Sequence, residues 1–223
     1  MTLARDEQQA QTLLGALRSL ARPSTAIFAA DGGSPQPFLD AVARIPVTLV
    51  PPRARNLVGQ IVASLHAAAA TGAPFILYTE PDKQTFFDTH LEGFVDAARA
   101  NRDAGIVLAA RSNDAFATFP AFQQRTERSF NELCGGIVGE QTDYLYGPFL
   151  LNSTLVAELA DVDASVGWGW RPFLFNLARR RGYRIASIAG EYACPIDRRG
   201  DEERAHRLRQ LSENAAGLAR SCQ

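Results

Sequence analysis

Along the chain the first periodic pattern is helical. Leu13, Leu14, Leu17, Leu20 and Ala21 recur at helical spacing, and Arg22-Pro23-Ser24 ends the run before an apolar stretch at 25–30. The alternation then repeats. PVTLV (46–50) predicts a strand, residues 57–70 a helix, and PFILYT (74–79) another strand. Leu91, Phe94, Val95 and Ala98 mark the buried face of the next helix, and GIVLAA (105–110) predicts a fourth strand. The second half is less regular. It reads as a polar helix near 120–136, a strand at YLYGPFLL (144–151), a helix from near Trp170 and a strand at YRIASIAG (183–190). Leu208, Leu211, Ala215 and Leu218 give a closing amphipathic helix. Continuously apolar strands separated by helices belong to a mainly parallel sheet covered on both faces, so the expected fold class is α/β.

Length and composition narrow this picture. A chain of 223 residues without a Ser/Gly-rich linker reads as one domain spanning 1–223. Basic and acidic residues number 23 and 24, so no global positive field draws the protein onto nucleic acid or anionic lipid, and an anionic ligand must be held locally. Cys134, Cys194 and Cys222 are widely spaced and contain no CxxC pair, which suggests neither a disulfide framework nor structural zinc and fits a reducing, cytoplasmic compartment. The N-terminal segment has acids where a signal peptide needs an apolar core. No later stretch approaches the roughly 20 apolar residues of a membrane span, so a soluble protein with no integral membrane segment is expected.

In parallel α/β sheets ligands bind outside the carboxyl ends of the strands, so the segment just after each strand is the first place to seek chemistry. After the first comes Ala30-Asp31-Gly32-Gly33-Ser34, after the second Pro51-Pro52-Arg53-Ala54-Arg55-Asn56, and after the third Thr79-Glu80-Pro81-Asp82-Lys83. All three are expected on one rim. Asp31 and its glycines are also what an ordinary turn requires. Glu80 and Asp82 offer hard carboxylate oxygens one residue apart, suited to Mg2+ or Mn2+ that keeps waters and phosphate oxygens as its other ligands. Acids there also suit a helix N-terminus. Lys83, the only lysine, fits a phosphate contact or a pairing with one of the carboxylates.

Taken in order, RDEQQAQTLLGALRSL, TAIFAADGGS, the Arg-Asn segment with its helix, and FILYTEPDK resemble glycosyltransferase family 2, over residues 5 to about 110. The resemblance implies a single GT-A (Rossmann-like) domain with a nucleotide-sugar donor half at 1–110, and an acceptor half with the closing helix at 111–223. It implies that Asp31 contacts the base or ribose. Glu80-Pro81-Asp82 takes the place of the DxD motif that binds the metal and the sugar-nucleotide diphosphate, with Glu where the family has Asp. Arg55 and Asn56 would open the helix facing the donor, whose N-terminus favours a diphosphate. Arg5-Asp6-Glu7 already looks like the segment after the family's first strand, so that strand is expected short or missing.

Downstream, YLYGPFLL, with Tyr146, and VGWGWRPFLFNLARRRGYRI resemble the acceptor half. Inverting members carry an acidic pair at the start of that helix to supply the general base. This chain has Gly167-Trp168-Gly169-Trp170, leaving Asp161 or Asp163 as candidates; otherwise the chemistry is of the retaining kind or absent. Trp168 and Trp170 suit stacking on a sugar ring, or plugging the core under a loop. His206 is a candidate third metal ligand or a solvent-facing helix residue. Arg198 and Arg199 close over a diphosphate or stay solvated. His66 and His90 read as incidental.

The expected activity is transfer of a hexosyl group from a nucleotide-diphosphate sugar to a small-molecule or glycan acceptor, assisted by Mg2+ or Mn2+. A nucleotidyltransferase is one rival, although its Gly-rich basic loop after the first strand is not visible here. The other is a degenerate GT-A relative that binds without turnover.

Overall fold

The computed structural model describes residues 2–21, 26–160, 162–195 and 201–223. The chain divides into two compact units, Met1–Gly93 with Leu151–Ala164, and Phe94–Leu150 with Ser165–Gln223.

In the first unit, α1 (Glu7–Leu20) begins where Asp6 caps it, its carboxylate accepting the Gln9 N–H at 2.7 Å. Leu13 and Leu17 of this helix enter a cluster with Phe38, Val42 and Ile45, the first two from α2 (Gln36–Val42). Strand β1 (Phe28–Ala30) pairs in parallel with β2 (Thr48–Val50), Phe28 opposite Thr48 and Ala30 opposite Val50. Helix α3 (Leu57–Ala69) packs on β1, and its apolar face, Val58, Ile61, Val62 and Leu65, is buried. Strand β3 (Phe75–Tyr78) leads to α4 (Gln84–Thr89), and α5 (Leu91–Ala98) begins in this unit. Ahead of α1, Thr2 makes a parallel bridge to Asp31, donating its N–H to Ala30 and accepting that of Gly32. Among the described residues ahead of α1, Thr2 is the one with a β-bridge.

The second unit is built around β4 (Ala104–Arg111), buried at every position, as a strand covered on both sides must be. It is followed by α6 (Asn113–Ala117) and α7 (Ala121–Val138), which ends on Gly139 in the left-handed conformation, φ 87°. Next come β5 (Phe149–Asn152), whose residues divide between the two units, α8 (Trp170–Arg180), β6 (Arg184–Gly190) and α9 (Asp201–Ser221). β4 pairs in parallel with β6 from Ala104–Arg184 to Arg111–Gly190. The parallel ladders interleaved with helices establish the α/β class.

The strand predicted at 144–151 forms only from Phe149. Gly147 sits at φ 131° and Pro148 has no N–H to give a ladder, so the preceding residues fold as a loop around Asp143.

Candidate functional site

The turn after β1 is organised by Asp31. Its Oδ1 accepts the hydroxyls of Thr2 (2.9 Å) and Ser34 (2.5 Å), and its Oδ2 accepts the N–H groups of Gly33 and Ser34, both at 2.7 Å. Burial opposes ionisation of this half-buried carboxyl. The four donors outweigh it and hold the group below the ordinary carboxylate range. Gly33 stands at φ 111° with open space around it, a position that favours glycine. Asp31 therefore spends its acceptors on fixing the turn that the resemblance assigns to the nucleoside.

Helix α3 begins beside that turn. Asn56 is its N-cap, accepting the Gly59 N–H at 2.8 Å, and a Cβ on Gly59 would fall 2.6 Å from the Ala54 carbonyl oxygen. The Arg-Asn segment is thus folded tightly onto the first helical turn, with Arg55 exposed and no acid in that turn, an arrangement complementary to an anion. Ser64 of α3 accepts the Ala30 N–H at 2.9 Å, and a Cβ on Gly32 would lie 2.9 Å from Nε2 of Gln60. The Asp31 turn and the Asn56 helix start are consequently one assembly.

At the end of β3 the three charges separate. Glu80 is 8% exposed and its Oε1 accepts the Tyr78 hydroxyl at 3.2 Å. Asp82 is more open and its Oδ1 pairs with Lys83 Nζ at 2.8 Å. Among the described residues no group of three or more His, Cys, Asp and Glu side chains is arranged to hold a metal. The donor set is therefore one accessible carboxylate with a second set inward, which fits a hard cation only when water and phosphate oxygens complete its shell.

In the second unit Trp170 is 1% exposed and packs on Phe149, ring centroids 6.0 Å apart, so it takes the core-plug alternative and presents no face to a sugar. Trp168 is half-buried, with the Arg171 guanidinium 5.4 Å from its ring. Tyr146 stacks on Tyr192 at 4.7 Å and 10°. His206 lies on α9, and Asp163, in the first unit, is exposed. Asp161, Arg198 and Arg199 lie outside the described residues.

Several organising residues are not singled out by the sequence reading. Glu213, from α9, accepts the Trp168 N–H at 2.8 Å and closes on the Gly167 kink. Arg111, 6% exposed, ends β4 between the rings of Phe116 and Phe119, each 4.5 Å away. Its guanidinium bonds Asp143 at 2.6 and 2.8 Å and Glu127 at 2.6 Å. A charge at the end of an apolar strand is the signal that singled out Glu80, and it is equally present in GIVLAAR.

Comparison with protein-family profiles finds no match, and none is found among curated proteins. Solved structures do match. Glucosyl-3-phosphoglycerate synthase from Mycobacterium tuberculosis in complex with uridine diphosphate gives a TM-score of 0.67 at 15% identity, over 95% of this chain and 75% of that one. Mannosyl-3-phosphoglycerate synthase from Rubrobacter xylanophilus gives 0.68 at 14%, over 95% and 69%. The Mycobacterium enzyme with Mn2+, uridine diphosphate and phosphoglyceric acid gives 0.63 at 16%, over 95% and 74%. These likenesses establish a GT-A glycosyltransferase-like fold. No described helix is long and apolar enough to cross a membrane.

Proposed function

We propose that the protein is a nucleotide-sugar-dependent glycosyltransferase whose donor site is formed by the Asp31 turn, the start of α3 and the end of β3. The observation that carries this reading is the Asp82–Lys83 pair at a strand end, mounted in a fold shared with enzymes solved with uridine diphosphate and Mn2+. Asp31 orients the nucleoside through the turn it rigidifies. Asn56 and Arg55 present the α3 N-terminus to the diphosphate. Asp82 holds Mg2+ or Mn2+, which when bound supplies charge neutralisation on the diphosphate leaving group. Lys83, released from Asp82, donates to a phosphate oxygen. Glu80 anchors the strand end through Tyr78. On the acceptor side Trp168 and Tyr146 are the aromatic candidates, each already with one face against a neighbour, the Arg171 guanidinium and the Tyr192 ring, and His206, Asp161, Asp163, Arg198 and Arg199 are assigned the roles the resemblance gives them.

A small soluble acceptor is the simplest partner. The run of glycines and tryptophans that leads into α8 contains no acid, and Glu213 is engaged there by a backbone N–H, which favours binding without turnover as the second reading.

Titration calorimetry of UDP-, GDP- and ADP-sugars with and without Mn2+, on the wild type and on Asp82→Ala, tests the donor site. Metal-dependent binding of one donor that is lost in Asp82→Ala is expected. No binding of any donor rejects the proposal. Binding without hydrolysis or transfer selects the second reading.

A further inference from the structure

We propose that Gln60 reads the base of the donor, through a hydrogen bond from a ring N–H that stands beside a carbonyl, as in uracil or guanine. This rests on the donor-site reading above. Gln60 sits in the first turns of α3, is 6% exposed, and its Oε1 is buried with no hydrogen-bond partner among the described residues. Its Nε2 has one long bond, 3.3 Å, to the Asn56 carbonyl. The carboxamide lies flat against Gly32, with Nε2, Cδ and Oε1 at 2.9, 3.3 and 3.3 Å from where a Cβ would stand.

An acceptor left unpaired in a buried place destabilises the protein, and an aliphatic side chain would fill the same space without that cost. The amide is thus a liability that a ligand donor removes. Its position selects the ligand. It underlies the turn that Asp31 fixes, at a helix N-terminus, where Gly32 places no side chain against it. The amide plane carries an acceptor next to a donor and so complements a ring edge with N–H next to C=O. Oε1 is closed off from water. The terminal torsion of a glutamine is soft, so turning the oxygen outward breaks only the 3.3 Å bond.

The test compares wild type and Gln60→Leu in two measurements: thermal unfolding without ligand, and calorimetric binding, with Mn2+, of UDP, GDP, ADP, N3-methyl-UDP and N1-methyl-GDP. The expected result is a melting temperature in Gln60→Leu equal to or above that of wild type. The preferred nucleotide, UDP or GDP, should bind the variant about tenfold more weakly, and its methylated form should bind both proteins alike at the weaker level. Equal binding of the parent and methylated nucleotide by wild type overturns the proposal, as does a preference for ADP, which has no ring N–H. A lowered melting temperature with unchanged nucleotide affinity assigns Gln60 a packing role only and also overturns it. Absence of binding by all five nucleotides removes the donor-site reading itself, and this inference with it.

Discussion

Replacing Arg111 with methionine isolates a buried charge network in the second unit. The guanidinium makes three bonds to two buried carboxylates, Asp143 at 2.6 and 2.8 Å and Glu127 at 2.6 Å. At about 1.5–3 kcal/mol for each charge-assisted bond, they would sum to roughly 4.5–9 kcal/mol if independent. They are not independent, because each carboxylate retains other donors. Asp143 keeps the backbone N–H groups of Arg111 and Leu145 and the Asn131 amide, while Glu127 keeps the Gln123 amide and Arg207 at 3.8 Å. Methionine also preserves contact with the rings of Phe116 and Phe119. The expected loss is therefore about 3 kcal/mol, the lower end for a broken buried pair.

The pH dependence sharpens the test. Burial alone would raise the Asp143 carboxyl, but the guanidinium and the backbone donors hold it below the ordinary range. Its contribution in wild type is complete above the unfolded value near 4 and fades as pH falls through the folded one. Without Arg111 burial prevails, the carboxyl takes up a proton in the folded state, and the penalty for leaving it charged disappears at lower pH. Urea unfolding followed by circular dichroism should give a gap between wild type and Arg111→Met of about 3 kcal/mol near pH 7.5, narrowing toward pH 4.5. A gap below about 1 kcal/mol, or one constant across that range, refutes the reasoning.

Asp31→Asn should flatten the acid limb of stability. Its folded pKa is depressed, so wild type loses that contribution only as pH drops below about 4, which acid unfolding monitored by fluorescence will resolve. Gly169→Ala should destabilise by more than about 2 kcal/mol in urea melts, since a Cβ there would overlap the backbone carbonyl of Glu213 and crowd Gly217. Trp170→Ala should cost about 3–5 kcal/mol, and Trp168→Ala less than half of that, because only the first ring fills the core; the same melts measure both.

The parts of this fold legible in the sequence are those set by local pattern. The buried stripe of α1 and the apolar β4 come directly from residue spacing, and the parallel class from strands without alternation. Strand lengths fail where a loop residue interrupts an apolar run, as at Gly147-Pro148. The helix containing Leu208 begins at Asp201, earlier than its apolar residues suggest, and Leu208 itself is 53% exposed while Asn214 and Leu218 are buried, so the apolar spacing there misplaces the buried face.

The charges at the end of β3 are visible in the sequence as a cluster, but their division of labour is not. Sequence proximity puts Glu80, Asp82 and Lys83 together, whereas the structure turns Glu80 inward to Tyr78 and leaves Asp82 paired with Lys83 in a partly buried position. Three charges in four residues therefore give one accessible carboxylate, and a cation at this site must compete with an ammonium 2.8 Å away. At the proposed donor site that competition would couple metal to donor. A diphosphate that takes over Lys83 removes the ammonium from Asp82 Oδ1, so cation and nucleotide should bind with positive cooperativity, each raising the affinity of the other by the same factor in calorimetric titrations at varied Mn2+.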